Sequence, residues 1–300
     1  MISNSADPSH TVNLRERQYR PELTGRVRRL AAAVNKTIGE NDALAISDRQ
    51  TTEAALEDYR IPETLDDGSL AATRAAFNRW LQTQAEQGVL EKMDRAEVTA
   101  GRHYTAKYVR SAETKGEAFA TAQLEGAGIA IEAGEDVLPR AQRSQLLSRL
   151  FSRNYNQLES LTDDITDDVR DTLTFGMLRG ENPRQVGREI SRRVRKVGVH
   201  RAEMIARTET LRAHNETALD VYDHWFSDDR AVGYGIEGAN SQPDKKMEHT
   251  TAGDSRVCAE CRALEGQQYT IQEVRNNRSE LLPPQATHPQ CRCVLILINT

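Results

Sequence analysis

Five residues near the C-terminal end have the types and spacing to hold a metal ion. Cys258-Ala259-Glu260-Cys261 is a CxxC pair, and His288-Pro289-Gln290-Cys291-Arg292-Cys293 follows across a connection of 26 residues. A CxxC turn brings its two sulfurs close enough to share one tetrahedral ion. Zinc takes thiolate or imidazole with no redox change, so four cysteines, or three plus His288, would complete one structural site per chain. Spacing leaves open which four of Cys258, Cys261, His288, Cys291 and Cys293 are used. The competing readings are disulfides or thiols packed in a core. Met1 to His10 is polar and lacks the apolar run of a secretory signal, which points to a reducing compartment and weakens the disulfide reading.

The elements that must position these donors read as helices. Of 300 residues, 38% are hydrophobic and only 5% aromatic, so apolar faces should be narrow stripes. Leu23, Val27, Leu30, Val34 and Ile38 mark one helix face within Glu22 to Ile38. Met1 to Asn13 reads as a mobile polar tail ahead of it. A short helix is expected near Thr52 to Tyr59. Another starts after Asp67-Gly68-Ser69 and carries Leu70, Phe77, Trp80 and Leu81. Helical patterns continue through Tyr104, Tyr108 and Phe119, and Ala/Gly-rich Leu124 to Gly134 is a boundary candidate.

From Gln142 the periodicity sharpens. Leu158, Leu161, Ile165, Val169 and Leu173 form a second stripe. Gly180 suits a helix end, Asn182 an N-cap and Pro183 a first turn, before a helix with Val186, Ile190 and Val194. A third helix runs from near Gly198 to Trp225 or Phe226. The architecture expected is mainly α with a small α+β C-terminal cap. A helical N-terminal region (1–134) would lead into a three-helix module (135–230) and a Cys/His cap (231–300). Val232 to Ile236, Gln268 to Ile271 and Val294 to Ile298 are its strand candidates.

Charge is uneven. Glu159 to Glu181 has seven acidic and two basic residues; Arg184 to Arg212 has nine basic and three acidic. The plainer expectation is that neighbouring helices neutralise one another, and the alternative is an arginine-rich surface for DNA or an acidic partner. A net charge of −5 argues against a polyanion-binding surface over the whole molecule. The longest apolar run, Val294 to Ile298, is too short to span a bilayer.

Enzyme signatures are weak. Gly233 to Gly238 spells GxGxxG, but Ala239-Asn240-Ser241-Gln242-Pro243 follows it in place of the helix that a pyrophosphate site needs. His214, His224 and His249 stand alone in the sequence and read as surface histidines. A thiolate-rich donor set marks a closed structural metal site more than a catalytic one. No catalysis is expected.

Arg201-Ala202-Glu203-Met204-Ile205-Ala206-Arg207-Thr208-Glu209-Thr210, with Asn215 and Ala218, is similar to the "ARTE…N" helix of the phage Mu F-like head-morphogenesis family. Asp254 and Arg256, the CxxC, Leu264 with Gly266, Pro283-Pro284, and His288-Pro289 with Cys291-Arg292-Cys293 follow in the order found in that family. The resemblance covers roughly Gln142 to the C-terminus. It implies a minor capsid protein of a tailed virus, sited inside the head near the portal and in the host cytoplasm during assembly. Its implied partners are the portal protein, the major capsid protein or inner capsid wall, and packaged DNA, with no membrane. The second reading, from the residues themselves, is a zinc-stabilised nucleic-acid-binding protein. Within the ARTE helix, Ile205, Thr208, Leu219, Tyr222 and Phe226 share much of one face. Arg207 and Glu209 suit a buried polar network, and Glu203 with Arg207 a surface pair.

Overall fold

The stripes become buried helix faces. A computed structural model of the chain describes residues 7–43, 70–132, 135–179, 181–226, 245–289 and 291–298. A π-helical turn at Asn13–Tyr19 leads into α1 (Arg20–Asn35), which ends in a second such turn at Lys36–Glu40. There follow α2 (Leu70–Ala85), α3 (Arg95–Thr99), α4 (Ala106–Gly126), α5 (Arg140–Leu178), α6 (Pro183–Arg193) and α7 (Val199–Trp225). The cap contains β1 (Lys246–Thr250), α8 (Ala259–Leu264), β2 (Gln268–Thr270), α9 (Ile271–Asn276), α10 (Arg278–Leu281) and β3 (Val294–Leu297). The fold is therefore mainly α with a small antiparallel sheet, in the order β2-β1-β3. The expected elements at Thr52 to Tyr59 and Val232 to Ile236, the GxGxxG stretch, and Asp67 to Ser69 lie outside the described residues.

Contacts divide the chain into two compact units, each drawn from several stretches. One comprises Arg20–Asp94 and Asn154–Ile205. In it Leu23, Val27, Leu30, Val34 and Ile38 are all buried, as are Leu158, Leu161, Ile165, Val169 and Leu173. Each such side chain contributes about 1.5–3 kcal/mol on leaving water. Asn182 caps α6 as expected. Its side chain accepts from the Gln185 amide at 2.9 Å, and the Gln185 side-chain oxygen in turn accepts from the Asn182 backbone N–H at 3.2 Å. Gly187 lets α6 approach the turn after α1 closely, because a Cβ there would fall 2.8 Å from backbone atoms of Gly39.

The other unit comprises Met1–Tyr19, Arg95–Arg153 and Ala206–Thr300. The polar tail expected at Met1 to Asn13 is corrected over its described part. Asp7, Ser9 and Thr11 are buried, and Asp7 forms an ion pair with the equally buried Arg15. The Ser9 amide and hydroxyl both donate to the Asp7 carboxylate. Composition favoured disorder here, yet these short polar side chains bond one another and the buried guanidinium, so the segment packs. In the same unit Gly116 of α4 lies against the backbone of His214 in α7.

The sheet differs from expectation in its centre. β2 and β3 form at Gln268–Thr270 and Val294–Leu297, but the strand between them is Lys246–Thr250. Lys-Met-Glu-His-Thr carries too few apolar residues to read as a strand, although Met247 and His249 alternate inward. Ile271 leaves the expected second strand to start α9, capped reciprocally by Thr270 and Glu273.

α1 covers α6 in one unit, and α4 covers α7 in the other. A fragment starting at Glu135 would expose both faces, so it should show no cooperative thermal transition by circular dichroism. A sharp transition in that fragment would favour the sequential division at residue 134.

Candidate metal centre

The donors converge because three local structures deliver them. Cys258 is the N-cap of α8, and its sulfur accepts from the Cys261 amide at 3.3 Å, so the CxxC closes as a turn onto a short helix. Cys291 and Cys293 immediately precede β3, and the Cys293 amide donates to the Cys291 sulfur at 3.3 Å. His288 donates from Nδ1 to the Pro289 carbonyl at 2.7 Å, which leaves the Nε2 lone pair available. That Nε2 stands 3.2 Å from the sulfurs of both Cys258 and Cys261.

Two donor groups result, Cys258 with Cys261 and His288, and Cys261 with Cys291 and Cys293, and Cys261 belongs to both. Cys261 and Cys291 sulfurs are 3.7 Å apart. Two thiolates on one tetrahedral ion, each at about 2.3 Å, stand about 3.8 Å apart. The cleft among these donors is about 30 Å³, room for one atom-sized guest. All four cysteines are free thiols, so the disulfide reading does not hold. These groups can hold a metal.

Their protonation is mutually constrained. The Cys293 thiol, hydrogen-bonded to Cys291, lowers the Cys291 thiol to about 6. The same contact raises Cys293, and burial followed by the Cys291 charge pushes Cys261 up to about 12. The amide of Cys261 holds Cys258 low. Without a cation, neighbouring sulfurs cannot all ionise.

Two clamps fix this cluster. Asp254 accepts two bonds from Arg292, at 2.8 and 2.6 Å, and further bonds from the Arg256 amide and guanidinium. That carboxylate therefore ties the approach to the CxxC to the residue between Cys291 and Cys293, and Arg292 holds it well below the usual carboxylate range. The second clamp is Asn215 of α7, which donates to the carbonyls of Pro283 (2.8 Å) and Cys293 (3.1 Å). Gly266, at φ +75°, turns the chain from α8 to β2 in a conformation that favours glycine.

The model of the family described as Phage Mu protein F like protein matches residues 167–296. Over those residues the chain is similar to that family. No curated protein and no solved structure matches the chain. The Mu F-like segment begins within α5 and ends within β3, so it takes in α7, all five donors and both clamps.

The ARTE helix resolves differently from either expectation. Glu209 does enter a buried network, 3.4 Å from Arg153 and 3.8 Å from Arg212. Burial pushes its carboxyl up, while Arg212 and Arg153 pull against that. Arg207 pairs instead with Glu16 at 2.7 Å, and Glu203 with Arg20. His214 and His249 are buried, not surface residues. His214 bonds the Asn215 side chain at 2.8 Å and packs against Phe119. The roles of Arg292 and Asn215 were missed. Opposite charges beside the two donor groups were the available signal for Arg292, whereas one asparagine in a helix gave no hint of partners so distant in sequence.

Burial lowers the His214 imidazole to about 4, with Asn215 opposing. The folded value lies below the unfolded one, so the contribution is full above about pH 6.5 and is lost as pH falls toward 4. Linkage makes that loss roughly 3 kcal/mol. Melting temperature should fall over this window, and His214→Gln should flatten that part of the profile. An unchanged slope in the variant would remove His214 as the source.

Proposed function

We propose that this protein is a minor head protein of a tailed virus, held near the portal and stapled by one zinc ion. The observation that carries the reading is the Mu F-like match, whose segment contains the metal donors together with the contacts that fix them. The proposed partners are the portal protein and the inner capsid wall. No helix among the described residues is long and apolar enough to cross a membrane. The role is one of assembly and asks for no catalytic step.

Cys258, Cys261, His288 and Cys291 are proposed as the zinc ligands. Support comes from His288 Nε2 lying within 3.2 Å of two sulfurs, and from the Cys261–Cys291 separation of 3.7 Å. Cys293, buried with its thiol shifted upward, acts as the hydrogen-bond donor to Cys291. Bound there, zinc would neutralise crowded thiolates and hold the CxxC turn against the approach to β3.

Metal analysis of reduced protein should find about one zinc per chain. Cys258→Ser, Cys261→Ser, Cys291→Ser and His288→Ala should each lower that content sharply, whereas Cys293→Ser should retain it. Loss in Cys293→Ser with retention in His288→Ala would instead assign an all-cysteine site.

The assembly role is tested in infected cells. The protein should sediment with heads, and should be missing from heads made without the portal. Finding it free in the lysate beside complete, infectious heads would refute the role.

A further inference from the structure

The charged helices divide their charges into two sets. One set closes the seam inside the unit: Asp168 pairs with Arg193 at 3.2 Å, and Asp164 with Arg201. The other set faces out. Asp163, Asp167 and Asp171 on α5 are exposed, as are Arg184, Arg188 and Arg192 on α6. Each trio has i, i+4, i+8 spacing, so members rise by about 6 Å per step along their helix and both rows have the same pitch. Among the described residues Asp167 pairs with Arg170 alone and Arg192 with Glu189 alone, both neighbours on their own helices. Asp163, Asp171, Arg184 and Arg188 form no ion pair among the described residues.

Beside the arginine row lies a groove of about 610 Å³. Phe175, Arg179, Glu181, Arg188, Glu189 and Arg192 are among the residues lining it. Phe175 is 55% exposed, the most of any large hydrophobic side chain among the described residues. It also continues the acidic row, one i+4 step beyond Asp171. Aromatic and arginine side chains together make the anchoring centre of a protein interface. Glu181 and Glu189 in the lining oppose a phosphate backbone, which favours a discrete run of carboxylates over a polyanion.

We propose that the Arg184–Arg188–Arg192 row and the Phe175 groove receive the Asp163–Asp167–Asp171 row of a second copy of this chain. Charge complementarity and equal pitch select that occupant, because this molecule itself displays the matching row. Rim charges of this kind set orientation and are screened by salt, so the association is salt-sensitive.

Sedimentation of the full-length protein tests this. At about 50 mM salt the chain should self-associate, and at about 1 M salt it should be monomeric. Replacing Asp163, Asp167 and Asp171 with Lys should raise the dissociation constant at least about tenfold, as should replacing Arg184, Arg188 and Arg192 with Glu. Mixing the two variants should restore association, since each then offers the row that the other lacks. Neutral versions, Asp→Asn and Arg→Gln at the same positions, guard against a folding defect from reversed charge and should weaken association in the same direction. A monomer at low salt overturns the proposal, and so does association that survives either reversal. Should the monomeric protein retard duplex DNA through this arginine row, the row is a phosphate-binding surface and the proposal fails in that direction.

Discussion

A helix buried on every side has no solvent for its polar side chains. Every residue of α7 from Glu209 to Leu219 is buried, and the stretch includes Glu209, Arg212, His214, Asn215 and Glu216. An unanswered charge in such a place is strongly destabilising. The answers come partly from the same helix and partly from distant parts of the sequence. Arg153 and Arg212 meet Glu209, while Arg149 and Gln285 meet Glu216. Asn215 meets His214 on one side and the cap carbonyls on the other. Packing of this unit is thus specified by polar pairing as much as by apolar area.

The same requirement reaches the metal donors. Because Asn215 holds the Cys293 carbonyl, the start of β3 is positioned from α7, and Cys291 is placed two residues earlier. Arg292, between those cysteines, holds Asp254 and so brings the CxxC approach to the same place. The donor cluster is assembled by contacts that involve no metal. What those contacts leave unresolved is charge: crowded sulfurs compete for protons, and these donor groups can hold a cation that would relieve the competition.

Features governed by local periodicity were legible in the sequence. The stripes at Leu23–Ile38 and Leu158–Leu173, the Asn182 cap and the donor spacing all follow from rules acting over a few residues. What was illegible depends on tertiary partners. β1 reads as a polar stretch until β2 and β3 flank it. Asp7, Ser9 and Thr11 read as a tail until Arg15 gives them a buried charge to surround. His214 and His249 read as surface residues because their neighbours come from elsewhere in the chain. The division of acidic and basic residues was visible as composition, but which aspartates serve the seam and which face outward is a matter of helix phase against a partner helix.

The interleaving of the two units bears on how the protein is made. Every stretch of the Arg20–Asp94 and Asn154–Ile205 unit has left the ribosome once Ile205 emerges, so that unit can close early. The other begins with the segment around Asp7 and Arg15 and needs β3 to finish its sheet. Its earliest residues bond one another locally, but Glu16 meets Arg207 only once α7 has been synthesised. Non-local closure of this kind is slow. During that interval the helix stretches of this unit lack the cover that later residues bring, so the order of synthesis sets the order in which the two units close.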